Sequence, residues 1–324
     1  MKKVIKFSSL FLLITLSLSL QAKEIKGNQQ IAKETRQLTP FEQIIVSSEN
    51  ISANMNVVIS YAIQSGLEIE GESNLLEYVI TEVKGAALTV KVAKKTKLVN
   101  SIPINLHITM PLIKKISYSG SGNVNMEGVM SEKMEVVLSG SGDFNLKNIS
   151  VPSLKMNISG NFQLNCGEII AENAIFNLSG NVIGNCMNLS APKFELMTSS
   201  TGKIVFTGLK SESSAELTAS GTGQIEWNNF TGKDLKAVLS GSSEINITGS
   251  VKDVDVTASG ACVFNATSLI AKKCKVVSSG TGSVYVAPTD NLDITLSGSG
   301  NLYYKGNPKI KIQNSGTGQL INKN

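Results

Sequence analysis

The side chains that could bind or catalyse recur along this chain at a fixed interval. Asn125, Asn145, Asn165, Asn185, Asn246 and Asn265 each stand six residues after a copy of a recurring Ser marker. A primary amide carries two N–H donors and an acceptor oxygen with two lone pairs. A column of amides can therefore hydrogen-bond to itself along stacked strands, or it can offer a polar strip to the hydroxyls of a glycan. Tyr285, Tyr303 and Tyr304 lie near the last copies and could add a sugar-stacking surface, although Tyr304 falls in the core phase. Cys166 and Cys186 occupy equivalent positions in adjacent units. Stacked one strand apart they are within disulfide range, but two inward thiols in register do not guarantee the dihedral angle. A disulfide and a buried thiol ladder both stay open. Cys262 and Cys274 fall in other inward columns, and no CxxC spacing occurs, so no metal site and no cofactor are expected.

Hydrolytic chemistry has less to work with. Cleavage of a polysaccharide needs clustered carboxylates on one face, and neighbouring units rarely place acids in the same outward column. The single His, His107, precedes the repeats in an expected strand and reads as structural; the single Arg is Arg36. Asp143 in GSGDFNL has Asn123, Gln163, Ile183 and Lys203 at the equivalent positions, which rules out a calcium ladder built from Asp in unit after unit. No Ser/His/Asp set assembles, and no P-loop or dinucleotide fingerprint is present. The chain is not expected to be an enzyme.

The elements that must position these residues are written into the same repeat. The marker Ser falls at 119, 139, 159, 179, 199, 220, 240, 259, 279, 297 and 315, and Gly follows it in every copy but one, where Ser200 stands instead. Apolar residues hold the positions three and five before the marker and five and seven after it, as in Val136, Met134, Phe144 and Leu146, while the intervening positions are mostly polar. Alternation of this kind makes strands with one buried face. A single unit cannot bury that face alone, whereas stacked units can. The expected fold is all-β, a parallel β-helix (solenoid) of about eleven coils of ~20 residues over 116–324, with Ser-Gly at a corner. Apolar runs without the marker over 40–115 read as an N-terminal β region that caps the solenoid.

Ahead of these, residues 1–22 read as a secretory signal, with Lys2, Lys3 and Lys6 before the apolar stretch Leu10–Leu20. Cleavage after Ala22 and after Ser19 are the two alternatives. Polar residues 23–39 read as a flexible leader. Export is therefore expected, to the periplasm or to the cell surface and medium, with no integral membrane span once the signal is removed. The formal charge is +5, three of it in the leader lysines, and no basic-aromatic interleaving occurs, which argues against nucleic acid as a partner.

The segments FEQIIVSSENISANMNVVIS, LEYVITEVKGAALTVKV and INLHITMPLIKKISYSGSGNVNM, followed by SGSGDFNL-like coils, resemble the "putative auto-transporter adhesin, head-GIN domain" family. The resemblance runs from about Phe41 to the C-terminus, and its most specific stretch is Ile108–Val124. It implies a β-helical fold and a secreted or surface location, and it brings no catalytic residues. No large translocator barrel follows the last coil here, so self-transport is not expected.

The functional expectation is an exported, non-enzymatic, adhesin-like module that presents a β-helix face to glycans or cell-surface proteins. The alternatives are a polysaccharide-active lyase or hydrolase, and a structural envelope module that forms a homo-oligomer through its terminal coil, since an unpaired end invites pairing.

Overall fold

Alternating apolar and polar residues do form strands here, and the strands stack side by side in one direction. A computed structural model describes residues 22–128 and 131–324; the segment read as a signal, except Ala22, lies outside the described residues. The strand Lys133–Lys147 pairs in parallel with Ile149–Cys166, which pairs in turn with Ile169–Met187. Val136 thereby lies beside Met156, and Met156 beside Phe176. The same pairing continues through Gln224–Leu239, Glu244–Ala258, Val263–Ser278 and Ser283–Leu296. The product is an all-β parallel solenoid of about ten turns, preceded by N-terminal strands.

Each turn has three faces. Face A leads up to the marker Ser, face B carries the apolar positions five and seven after it, and the short face C follows, as in Ile149–Val151 stacked on Ile169–Ala171. The inward residues of all three faces join one core that runs from Phe41 to Leu302. Its middle is aromatic: Phe176, Phe194, Phe206, Trp227 and Phe230 pack with neighbouring ring centroids 5.2–6.2 Å apart. Such edge-on contacts add about 0.5–1.5 kcal/mol per pair beyond area burial.

Two kinds of corner hold the faces together. At the Ser-Gly corner, a Cβ built on Gly140 would stand 2.0 Å from the carbonyl oxygen of Gly120 in the turn below, and one on Gly160 would stand 2.1 Å from that of Gly140. The glycines recur because backbone packs on backbone there. Ser200, the one exception, is buried, and its Oγ accepts from the backbone N–H groups of Val182 and Gly202. At the corner between faces B and C the backbone turns left-handed, and Gly128, Asn148, Asn188, Gly208 and Asn229 occupy it. These are the residue types that visit that region at least cost. Units of unequal length are accommodated at this corner and around face C, where the register slips between Trp227 and Phe230 and between Ser211 and Ser214, so faces A and B stay aligned.

The N-terminal end departs from a simple extension of the array. Lys115–Ser121 pairs with Gln43–Ser47, which pairs with Ala87–Val92, so the segment after residue 86 forms the outermost parallel rung of face A. On face B, Val124–Glu127, Met55–Tyr61 and Ile104–Met110 stack in the same order. Antiparallel strands then close the end: Val79–Lys84 on Ala87–Val92, and Gly66–Glu72 on Ile104–Met110. Residues 23–39, expected as a flexible leader, instead hold two strands of this cap. Lys23–Lys26 pairs in parallel with Thr96–Val99, and Ile31–Arg36 pairs antiparallel with Gly66–Glu72. Their polar sequence suits an outer strand: Lys33 bonds both Glu68 and Glu70 at 3.1 Å, and such charges discourage further pairing. Glu72 anchors this layer. It is buried and accepts from the backbone N–H groups of Gln29 at 2.8 Å and Ser101 at 2.9 Å.

At the opposite end, Lys309–Asn314 is exposed along its whole length, with Ile310 40% and Ile312 43% accessible. Among the described residues no helix is long and apolar enough to cross a membrane.

Candidate functional site

Because side chains alternate across a strand, every even position of faces A and B projects outward and stacks on its equivalents, one rung (~4.8 Å) apart. The outward rows are therefore the surfaces on which a ligand could be read. On face B, the Nδ2 of Asn145 donates to the Oδ1 of Asn125 at 2.7 Å, and the Nδ2 of Asn165 donates to the Oδ1 of Asn145 at 2.9 Å. No such bond reaches Asn185, which is exposed, and Val205 and Glu226 then interrupt the column. It resumes with Asn265 donating to Asn246 at 3.1 Å. The six asparagines thus form two amide ladders and one free amide. In the first ladder the amide groups not spent on neighbours remain for the outside, whereas in the second Asn246 Nδ2 also donates to Glu244 at 3.2 Å and Asn265 Oδ1 accepts from Thr267 Oγ1 at 2.8 Å.

The next residues of that column are Tyr285 and Tyr303. Their rings stack on each other, with centroids 4.5 Å apart and planes 8° from parallel, and Lys323 Nζ sits 5.2 Å from the Tyr303 ring centroid. The stacking consumes one face of each ring, and Lys323 covers Tyr303 further. The pair therefore does not present the broad aromatic platform that the sequence suggests. Tyr304 is half-buried against the core.

Face A carries two grooves that the sequence reading did not single out. One, of about 380 Å³, lies between the marker serines Ser159, Ser179, Ser199 and Ser220 and the row Asn157, Asn177, Met197 and Thr218. A further amide pair occurs here, with the Nδ2 of Asn177 donating to the Oδ1 of Asn157 at 2.8 Å. The other groove, of about 590 Å³, lies between the row Asp234, Asp253, Lys273 and Asn291 and the row Lys236, Asp255, Lys275 and Asp293. Asp234 and Asp253 occupy the same outward column on adjacent turns, which places acids closer together than the sequence reading allowed. Both grooves were legible as even-numbered offsets before the marker.

The ion pairs of the charged groove are loose: Lys275–Asp255 at 3.6 Å, Lys233–Asp234 at 3.6 Å and Lys252–Asp253 at 3.8 Å, against 2.6–3.1 Å for those of the N-terminal rungs. Beneath the groove lies Cys274, whose thiol is pushed up to about 12 by burial and then by the charge of Asp253. All four cysteines are free and buried. Cys166 and Cys186 stack in register, and the hydrogen bond to Cys186, followed by burial, holds the Cys166 thiol well above its ordinary range. All four are packed in the core, away from solvent, where a thiol is ordinarily inert. His107 is exposed on the cap, in register with Val58 on one side and Glu68 on the other. Among the described residues no group of three or more His, Cys, Asp or Glu is placed to hold a metal ion.

Comparison with known proteins places the array in a recognised group. The family described as "Putative auto-transporter adhesin, head GIN domain" matches residues 40–204 and 186–308. Among solved structures, a "putative adhesin" from Parabacteroides merdae is 20% identical with a TM-score of 0.40, covering 94% of this chain and 100% of that one. A "putative lipid binding protein" from Parabacteroides distasonis is 18% identical with a TM-score of 0.38, covering 93% of this chain and 100% of that one. A "putative adhesin" from Bacteroides fragilis is 18% identical with a TM-score of 0.37, covering 92% of this chain and 99% of that one. No curated protein matches the chain.

Proposed function

We propose, from the premise that the chain belongs to the auto-transporter adhesin head-GIN domain family, that it is an exported, non-enzymatic module that binds glycans or cell-surface proteins along its β-solenoid faces. The observation that carries this reading is the outward stacking of like residues on faces A and B. Amide ladders, a serine row and a charged groove each repeat one rung apart and bring polar groups back at regular intervals along the array. Many weak, equally spaced contacts suit a repetitive ligand, because linked sites raise one another's effective concentration. The apolar and basic segment at residues 1–22 supports export.

A second reading, cleavage of a polysaccharide, draws on Asp234, Asp253, Asp255 and Asp293 around one groove. Paired carboxylates are the requirement of that chemistry. A glycan array combined with a reducing-end assay separates the two. Retention without new reducing ends supports the binding module, and product release abolished by Asp253→Asn would establish the enzyme instead.

A further inference from the structure

The groove between the marker serines and the Asn157–Thr218 row is lined by uncharged side chains, with the Glu135 carboxylate at its edge, where it accepts from Asn157 Nδ2 at 3.5 Å. The chain carries 30 basic and 25 acidic residues, and the neighbouring groove on the same face is lined mainly by Asp and Lys. A ligand bearing charge would find no charged side chain in the lining to compensate its desolvation. A ligand bearing only hydroxyls would find a serine hydroxyl at every rung and an amide at two of the four. The contacts the serines make within the protein are weak. Ser159 Oγ reaches the carbonyl of Leu138 at 3.4 Å and Ser179 Oγ that of Ile158 at 3.5 Å, both long for O–H···O bonds.

One acceptor is left open outright. Asn177 donates to Asn157, but its own Oδ1 is shielded from solvent and has no donor. The cause is the next residue in the column, where Met197 stands instead of a third asparagine. A shielded, unmatched carbonyl oxygen is a standing cost, and a hydroxyl donor could remove it only once a neighbouring side chain moves aside. The backbone groups of this face are already paired to the turns above and below, so a peptide cannot add to it as a further strand. Recognition must come from side chains, with Val137 and Met197 supplying apolar contact.

We infer that this groove seats a neutral, linear polysaccharide running along the solenoid axis, its successive units meeting successive rungs ~4.8 Å apart. The inference rests on the binding reading above and assigns that reading its site and ligand class. It is tested by affinity electrophoresis of the full chain through native gels containing hydroxyethylcellulose, dextran or alginate. The variants are Met197→Glu and Thr218→Glu, both at exposed positions, with Met197→Gln as the uncharged control. Circular dichroism and the emission of Trp227 report that each variant is folded.

The expected result is retardation by at least one of the two neutral polymers and not by alginate. The Glu variants should weaken that retardation by about tenfold or more, equivalent to ~1.4 kcal/mol, and Met197→Gln should retain it. Retardation unchanged in both Glu variants overturns the groove and leaves the binding module standing. Retardation by alginate alone overturns the neutral ligand. No retardation by any of the three overturns the site together with the polysaccharide reading.

Discussion

Replacing Gly241 by alanine tests how closely the turns are stacked. A Cβ there would lie 2.1 Å from the carbonyl oxygen of Gly221 and 2.5 Å from that of Ser220, both backbone atoms that no side-chain rotation can move. Relief requires the two turns to part by nearly an ångström at this corner. The ladder bonds nearest to it are Ser240 N–H to Ala219 O at 3.0 Å and Ser242 N–H to Gly221 O at 3.1 Å. Losing both costs about 1–3 kcal/mol in total, and the overpacking adds about 1–3 kcal/mol, so the expected destabilisation is about 2–6 kcal/mol. Gly85→Ala is the control. Gly85 has φ +59 and nothing within 4 Å of its would-be Cβ, so alanine there meets only the left-handed penalty of about 1–2 kcal/mol. Trp227, the single tryptophan, is fully buried and lies beside Ile247 of the turn that begins at Gly241, which makes its emission a local probe. With m near ~3 kcal/mol/M, urea midpoints should fall by about 0.7–2 M for Gly241→Ala and about 0.3–0.7 M for Gly85→Ala. Equal shifts for the two variants would refute close backbone stacking at the Ser-Gly corner.

Further outcomes follow from the same contacts. Burial raises the carboxyl of Glu72, but hydrogen bonds from the backbone N–H groups of Gln29, Ser101 and Ile102 outweigh it and hold the group below its ordinary value. Its contribution is therefore present above the unfolded pKa of ~4.3 and lost as pH falls through the folded value; hydrogen exchange should show the 23–36 strands losing protection first on acidification, and Glu72→Gln should remove that pH dependence. Asn145→Ala breaks the bonds to both Asn125 and Asn165 and should cost about 1–3 kcal/mol by urea unfolding, whereas Asn185→Ala, outside the ladder, should be near neutral. The four buried thiols should resist a thiol reagent at pH 8 in the folded protein and all react in denaturant; fast labelling of the folded chain would contradict their placement. If copies associate through the exposed rung Lys309–Asn314, Ile310→Lys with Ile312→Lys should abolish the concentration dependence of the sedimentation coefficient.

The marker serines and the odd-numbered apolar columns made the solenoid readable from sequence because each turn repeats one physical requirement: four inward apolar positions and a corner with no room for Cβ. Phe144, Leu164 and Ile204 are buried where the alternation put them. The N-terminal rungs were not readable in the same way. Their Ser47 stacks on Ser119 without a following Gly, and their order in space, Ala87–Val92 outside Gln43–Ser47, reverses their order in the chain. The strand Ile31–Arg36 was missed because an outermost strand needs no buried face, and its charged residues look like those of a loop. The face A grooves were missed for another reason. An outward row has no composition rule, so Asn157 beside Asn177, or Asp234 beside Asp253, gains meaning only once the register is known.

The faces and grooves exist only if successive units lie one above another in register, and distances between spin labels on one outward column measure this directly. Lys155 and Lys236 are four rungs apart, and Lys155 and Lys311 are eight, by the observed pairing. At ~4.8 Å per rung the pulsed-EPR distances should be about 19 and 38 Å, a doubling, give or take the label linkers. A second distance equal to or shorter than the first would mean that the units are arranged some other way, around a ring for example, and the faces, grooves and binding surface described above would not exist.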